Sequence, residues 1–179
     1  MKTLTDQLAQ YAAYHRDRRN VTTHFVGIPM IVLALSVLLG RPASTFGMLP
    51  FTVSPAWALF VAGTIYYIVL DTALGIMMAV VSAVCIVFGQ WIAAQSTAVW
   101  LATGIGLFGV GWIVQFFGHV AFEHRKPAFV DDLIGLMIGP LFLLTEALLG
   151  AGWRPELRAS IEQRIETAQL HGQSGVDRE

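Results

Sequence analysis

Cys85 is the single cysteine of this sequence, so no disulfide can form within the chain. It lies inside an apolar run, where a small buried side chain is the expected role. Charge is scarce as well: 13% of the residues are Asp, Glu, Lys or Arg, against about 25% in soluble globular domains. A formal net charge of -1 and the lack of any basic stripe argue against a nucleic-acid binder. No apolar core precedes Phe25, so Met1 to Arg19 is not expected to be a cleaved signal peptide, and the first apolar run is expected to stay in the mature protein. What the chain has in abundance is apolar residues, 55% of the total, in long runs rather than amphipathic stripes. A lipid bilayer is their expected solvent.

About 20 apolar residues cross a hydrocarbon core of about 30 Å as a helix, with roughly 17 tolerated. Four runs approach that length: His24 to Gly40, Pro55 to Leu70, Thr72 to Ala94 and Ala98 to Gly118. Only the neighbourhood of Asp71 separates the middle two, which predicts a tight helical hairpin. A fifth run, Leu133 to Leu149, is interrupted by Gly139 and Pro140 and reads as broken or re-entrant. Four crossings put Arg16, Arg18 and Arg19 on the same, cytoplasmic, face as Arg125 and Lys126. From Pro155 to about Leu170, Leu157, Ile161 and Ile165 recur every four residues, the pattern of an amphipathic surface helix. The expected architecture is an all-α, polytopic membrane helix bundle. Residues 1–150 would form one transmembrane domain with an interfacial metal site, and residues 151–179 an amphipathic helix with a polar tail that leaves His171 solvated.

Four of the five histidines, His15, His24, His119 and His124, flank the two basic clusters. Polar residues excluded from spans collect at helix ends in any case, so geometry must discriminate among them. At about 100° per residue, His15 and His24 would point to opposite faces of one continuous helix, which calls for a break. Asn20 is a favoured N-cap and is the expected place for it. Gln115, His119 and Glu123 recur every four residues and share a face, whereas His124 lies about 140° around from His119. Glu123 is therefore the better partner for His119, with His124 as a reserve ligand. Imidazole and carboxylate together suit iron, zinc, copper or manganese. Gln115 and Asn20 can orient a ligand or simply satisfy a neighbouring helix. Asp132 reads as a helix cap, and Gly104, Gly106, Gly109 and Gly111 as close helix packing.

Two motifs carry a resemblance. The first is Tyr11-x-x-Tyr14-His15 followed by Asn20-x-x-x-His24 with Pro29 downstream. The second is Gly111-Trp112-x-x-Gln115-Phe116-x-Gly118-His119-x-x-Phe122-Glu123-x-x-x-Pro127-Ala128-x-x-Asp131. In this order, with apolar spans between them, they resemble the membrane 2-hydroxy fatty acid dioxygenases, known for the metabolism of phytosphingosine to odd-numbered fatty acids. The resemblance implies an Fe(II)-dependent oxidoreductase of fatty acid alpha-oxidation. Such an enzyme uses dioxygen to turn a 2-hydroxy fatty acid into the one-carbon-shorter acid and carbon dioxide. Carried over by position, it implies His15, His24, His119 and Glu123 at the metal, with Asn20, Gln115 and Asp131 as further polar site residues. His124 falls where the pattern does not require histidine.

The main alternative from another class is a small-molecule or proton transporter. Transporters place ionisable groups near mid-membrane between repeated halves, and here only Glu146 in the last apolar run answers that description. A bis-histidine haem protein would want ligands facing each other across adjacent spans. A two-metal desaturase would want about twice as many ligands.

Overall fold

Thr3 and Asp6 bracket the first turn of α1 (Leu4–Tyr14) with reciprocal hydrogen bonds: Asp6 N–H donates to Thr3 Oγ1 at 3.2 Å, and Thr3 N–H to the Asp6 carboxylate at 3.0 Å. The computed structural model describes residues 2–45, 52–123 and 134–176. After α1 come α2 (Arg18–Leu38), α3 (Pro55–Leu70), α4 (Thr72–Ala93), α5 (Thr97–Gly118), a π turn (His119–Glu123), α6 (Ile134–Gly150) and α7 (Pro155–Val176). A two-residue antiparallel ladder, β1 (Ser44–Thr45) on β2 (Thr52–Val53), precedes α3. The all-α class is borne out. The chain divides into two units, Met1–Arg16 with Ala128–Glu179, and Asp17–Pro127.

In the first unit α1 packs on α6 and α7. Leu157 and Ile161 of α7 are buried, as their four-residue spacing predicts, and Arg164 pairs with Asp6 at 2.9 Å. The helix runs on to Val176, past the expected end near Leu170. The break expected at Gly139 and Pro140 is absent, because α6 continues through both. Pro140 removes one rung of the helix. Its neighbours Ile138, Leu141, Phe142 and Leu143 are buried, and packing of that kind, more than intrinsic propensity, is what holds a helix together.

The second unit is built on close backbone approaches. A Cβ on Gly89 of α4 would overlap the Ser36 carbonyl of α2, and one on Gly40 would meet Ala93 at 2.8 Å, so α2 and α4 run parallel. Gly104, Gly111 and Gly118 of α5 face Leu38, Ile31 and Thr23 of α2 in turn, an antiparallel register. Gly106 and Gly109 face open space, so only part of the expected glycine series serves packing. The hairpin expected at Asp71 is there: Asp71 ends α3 and caps α4, its carboxylate accepting from Leu74 N–H at 3.0 Å. At the far end Arg41 ties α2 to the α4–α5 turn, donating to Ala93 O (2.8 Å) and Gln95 O (2.6 Å) while lying over Trp100. The N-termini of α2 and α4 and the C-termini of α3 and α5 therefore meet at the other end.

Among the described residues, three helices are long and apolar enough to cross a membrane: Arg18–Leu38, Thr72–Ala93 and Thr97–Glu123. Pro55–Leu70 and Gly135–Gly150 are apolar but shorter. The 16 residues of α3 rise only ~24 Å, less than the ~30 Å hydrocarbon core.

The glycine contacts set up a contrast. Gly89→Ala is expected to destabilise the protein by roughly 1–3 kcal/mol through overpacking, and Gly106→Ala to leave thermal unfolding in detergent unchanged or slightly raised. Equal melting temperatures for the two variants would refute the close approach of α4 to α2.

Candidate metal centre

α1 ends at Tyr14, with His15 as its C-cap. His15 N–H donates to Tyr11 O at 3.1 Å, and His15 Nδ1 lies 2.9 Å from the same carbonyl. The ring stacks on Tyr11 at 4.2 Å between centroids and is 5% exposed. Burial pushes the Tyr11 phenol above its ordinary pKa, so Tyr11 presents a neutral ring rather than a base.

The break that separates His15 from His24 is real, but it lies three residues before its expected place. Asp17, not Asn20, caps α2: its carboxylate accepts from Arg19 N–H at 2.8 Å and pairs with the Arg19 guanidinium at 2.8 Å. Those hydrogen bonds hold the Asp17 carboxyl below its usual range. Asp and Asn are near-equal caps, and Asp17 has Arg19 beside it. Asn20 is thereby moved inside α2 and is wholly buried.

From there Asn20 organises its surroundings. Its carbonyl accepts from Thr23 Oγ1 at 2.7 Å and lies 2.8 Å from His24 Nδ1. Its amide Nδ2 donates to Glu123 Oε1 at 3.4 Å, and the same oxygen accepts Asp17 N–H at 2.8 Å. Gly118 makes this possible, since a Cβ there would overlap Thr23 and Asn20. Glu123 thus lays its carboxylate against the start of α2, where the helix dipole favours negative charge. The signal for this contact was Glu123 of the second motif, which its spacing alone assigned to His119.

His24 and His119 meet edge to face, with ring centroids 4.8 Å apart, an interplanar angle of 82°, and ligand nitrogens within 4.8 Å of each other. They are 2% and 3% exposed. One turn before His119, on the face that the four-residue spacing predicted they share, Gln115 is also buried. His119 opens the π turn, a feature that recurs at functional sites. The second unit therefore brings Asn20, His24, Gln115, His119 and Glu123 to one end, while His15 closes α1 in the first unit. His124, Asp131, Asp132, Arg125 and Lys126 lie outside the described residues.

His24 and His119 of the second unit are buried imidazoles, donors of a kind that can hold a metal ion, and His15 is a buried imidazole of the first unit. The arrangement fits that use on its own terms. In His15 and His24 a main-chain carbonyl engages Nδ1. A carbonyl only accepts, so that contact puts the proton on Nδ1, and Nε2 is the nitrogen that either ring could offer a metal.

Glu123 can be tested through Asp17. Glu123→Ala is expected to cost about 1–3 kcal/mol by leaving a part-buried N–H without its acceptor, whereas Glu123→Gln keeps an oxygen there and costs clearly less. Thermal unfolding of the two variants in detergent checks this, and equal losses would remove Oε1 from the account.

Comparison with known proteins agrees with the two motifs. The family model for 2-hydroxy-palmitic acid dioxygenase Mpo1-like proteins matches residues 1–150. The 2-hydroxy-palmitic acid dioxygenase MPO1 of Saccharomyces cerevisiae is 30% identical over 167 residues, covering 93% of this chain and 91% of the yeast protein. No solved structure matches. With both motifs inside the matched region and their histidines buried, this chain belongs to the Mpo1-like family.

Proposed function

We propose that this protein is an Fe(II)-dependent dioxygenase of long-chain 2-hydroxy fatty acids, acting in fatty acid alpha-oxidation. The observation that carries the reading is the buried pair His24 and His119 in a chain of this family. The yeast relative's name supplies the substrate class. The reaction balances without an outside reductant: a 2-hydroxy acid and dioxygen give the acid one carbon shorter, carbon dioxide and water.

His15, His24 and His119 are the proposed ligands. Support for including His15 comes from the chain itself. It stands two residues before Asp17, a separation of at most about 7 Å between Cα atoms, and Asp17 N–H is bonded to Glu123, four residues after His119. Glu123, expected as a fourth ligand, commits Oε1 to Asp17 and Asn20, and Oε2, which has no hydrogen bond among the described residues, is the oxygen it would offer the ion. Asn20 orients His24 through its carbonyl. Asp131 stays in the proposal on the second motif alone. Iron, held by these residues, would supply the redox chemistry with dioxygen.

The protein's contribution is placement. The site lies at a helix end, so a fatty acid keeps its carboxyl and hydroxyl among polar residues and its acyl chain along apolar helices. We assign the three long apolar helices to multiple crossings of a lipid bilayer. The exposed Arg16, Arg18 and Arg19 support a site on the cytoplasmic side. The transporter alternative has only Glu146, which is half-buried on α6 of the first unit.

Metal analysis and oxygen uptake of purified protein test the reading together. The parent protein is expected to hold iron and to consume oxygen with 2-hydroxypalmitic acid. Removing an outer partner of a ligand already costs 10–100-fold, so His119→Ala should lower uptake by about a hundredfold or more. A metal-free parent whose oxygen uptake is unchanged by His119→Ala would overturn the proposal.

A further inference from the structure

Gln115 is the one buried polar side chain beside the histidine pair whose amide oxygen is given nothing to do. It is 8% exposed, and Oε1 has no hydrogen-bond partner among the described residues. Burying such a group costs free energy unless something answers it. The helices nevertheless make room for it. A Cβ on Gly27 of α2 would lie 2.8 Å from Gln115 Cγ, 3.2 Å from Gln115 Cδ and 2.9 Å from Gly111 O. Gly27 is one turn along α2 from His24, and Gln115 is one turn along α5 from His119. The amide thus forms the next layer inward from the imidazoles, in a slot kept open by a missing side chain.

We infer that Gln115 reads the 2-hydroxyl group of the substrate and so sets the preference for 2-hydroxy over unsubstituted fatty acids. This rests on the 2-hydroxy acid reading above. A carboxylate would call for a cation, but Gln115 is neutral. Its amide offers an oxygen acceptor and two N–H donors, and a hydroxyl, which both donates and accepts, is its natural complement. A site built to hydrogen-bond a hydroxyl discriminates against the analogue that lacks it, because the buried polar group is then left unanswered.

The test is equilibrium binding of 2-hydroxypalmitic acid and of palmitic acid to the iron-loaded, detergent-solubilised protein without oxygen. Gln115→Met keeps the length and loses the amide. It is expected to weaken binding of the hydroxy acid about tenfold, with palmitic acid binding and iron content unchanged. Its melting temperature without fatty acid should equal or exceed the parent's, since an unanswered buried oxygen is removed; a residue that merely held the helices together would lower it. A hydroxy-acid preference that survives in Gln115→Met overturns the inference alone. Joint loss of iron and of both fatty acids would overturn it too, by making Gln115 a support for the histidines. A parent protein with no preference sinks the substrate reading and this inference together.

Discussion

α2 and α5 touch where their side chains are missing. Gly27 and Gly111 bring the two backbones together, and Gly118 admits Asn20 and Thr23 about two turns further along α5. Between helices in lipid, apolar surface supplies little drive for association, so close van der Waals packing and hydrogen bonds across the seam must supply it. The candidate site is a stretch of that seam. Asn20 with Glu123, His24 with His119 and Gln115 beside Gly27 follow one another in a single antiparallel register. Sliding α5 by one residue would turn each of its side chains by about 100° and leave none of these pairs in place.

Position alone does not make an imidazole a ligand; its tautomer must be set as well. His15 finds its anchor at a helix end, where main-chain carbonyls lack intrahelical partners, and Tyr11 O takes both its N–H and its Nδ1. His24 Nδ1 shares Asn20 O with Thr23 Oγ1 within the helix. Each anchor lies four residues back in the chain, so orientation is local even though the partners are distant. Each of these two rings is settled by its own helix.

This division of labour explains what the sequence disclosed. Apolar runs give helices whose limits follow from composition, and the expected Pro55 to Leu70 and Thr72 to Ala94 agree with α3 and α4 to within one residue. The shared face of Gln115 and His119 needs nothing beyond four-residue spacing. The start of α2 was not legible, because Asp17 and Asn20 are equivalent caps by local chemistry and the choice depends on Arg19 and on Glu123, 106 residues away. Continuity of α6 through Pro140 was hidden for the same reason, since packing around Ile138 and Leu141 decides it. Nor does any single-helix rule separate Gly104 and Gly111, which meet α2, from Gly106 and Gly109, which do not.

Polar residues elsewhere in the second unit show what is particular about this end. Ser36 is satisfied by Leu33 O of its own helix, and Ser82 meets Thr64 across the α3–α4 hairpin. The bond of Ser36 fits any register, because the carbonyl it uses belongs to its own helix. At the histidine end two donors from one helix start, Asp17 N–H and Asn20 Nδ2, converge on one oxygen of Glu123, which only one alignment of α2 on α5 permits. Polar groups buried in an apolar bundle are costly when misaligned, so these bonds penalise every competing alignment. The hydrogen bonds that shape the site are therefore also those that select the register, and the site and the α2–α5 seam are specified together.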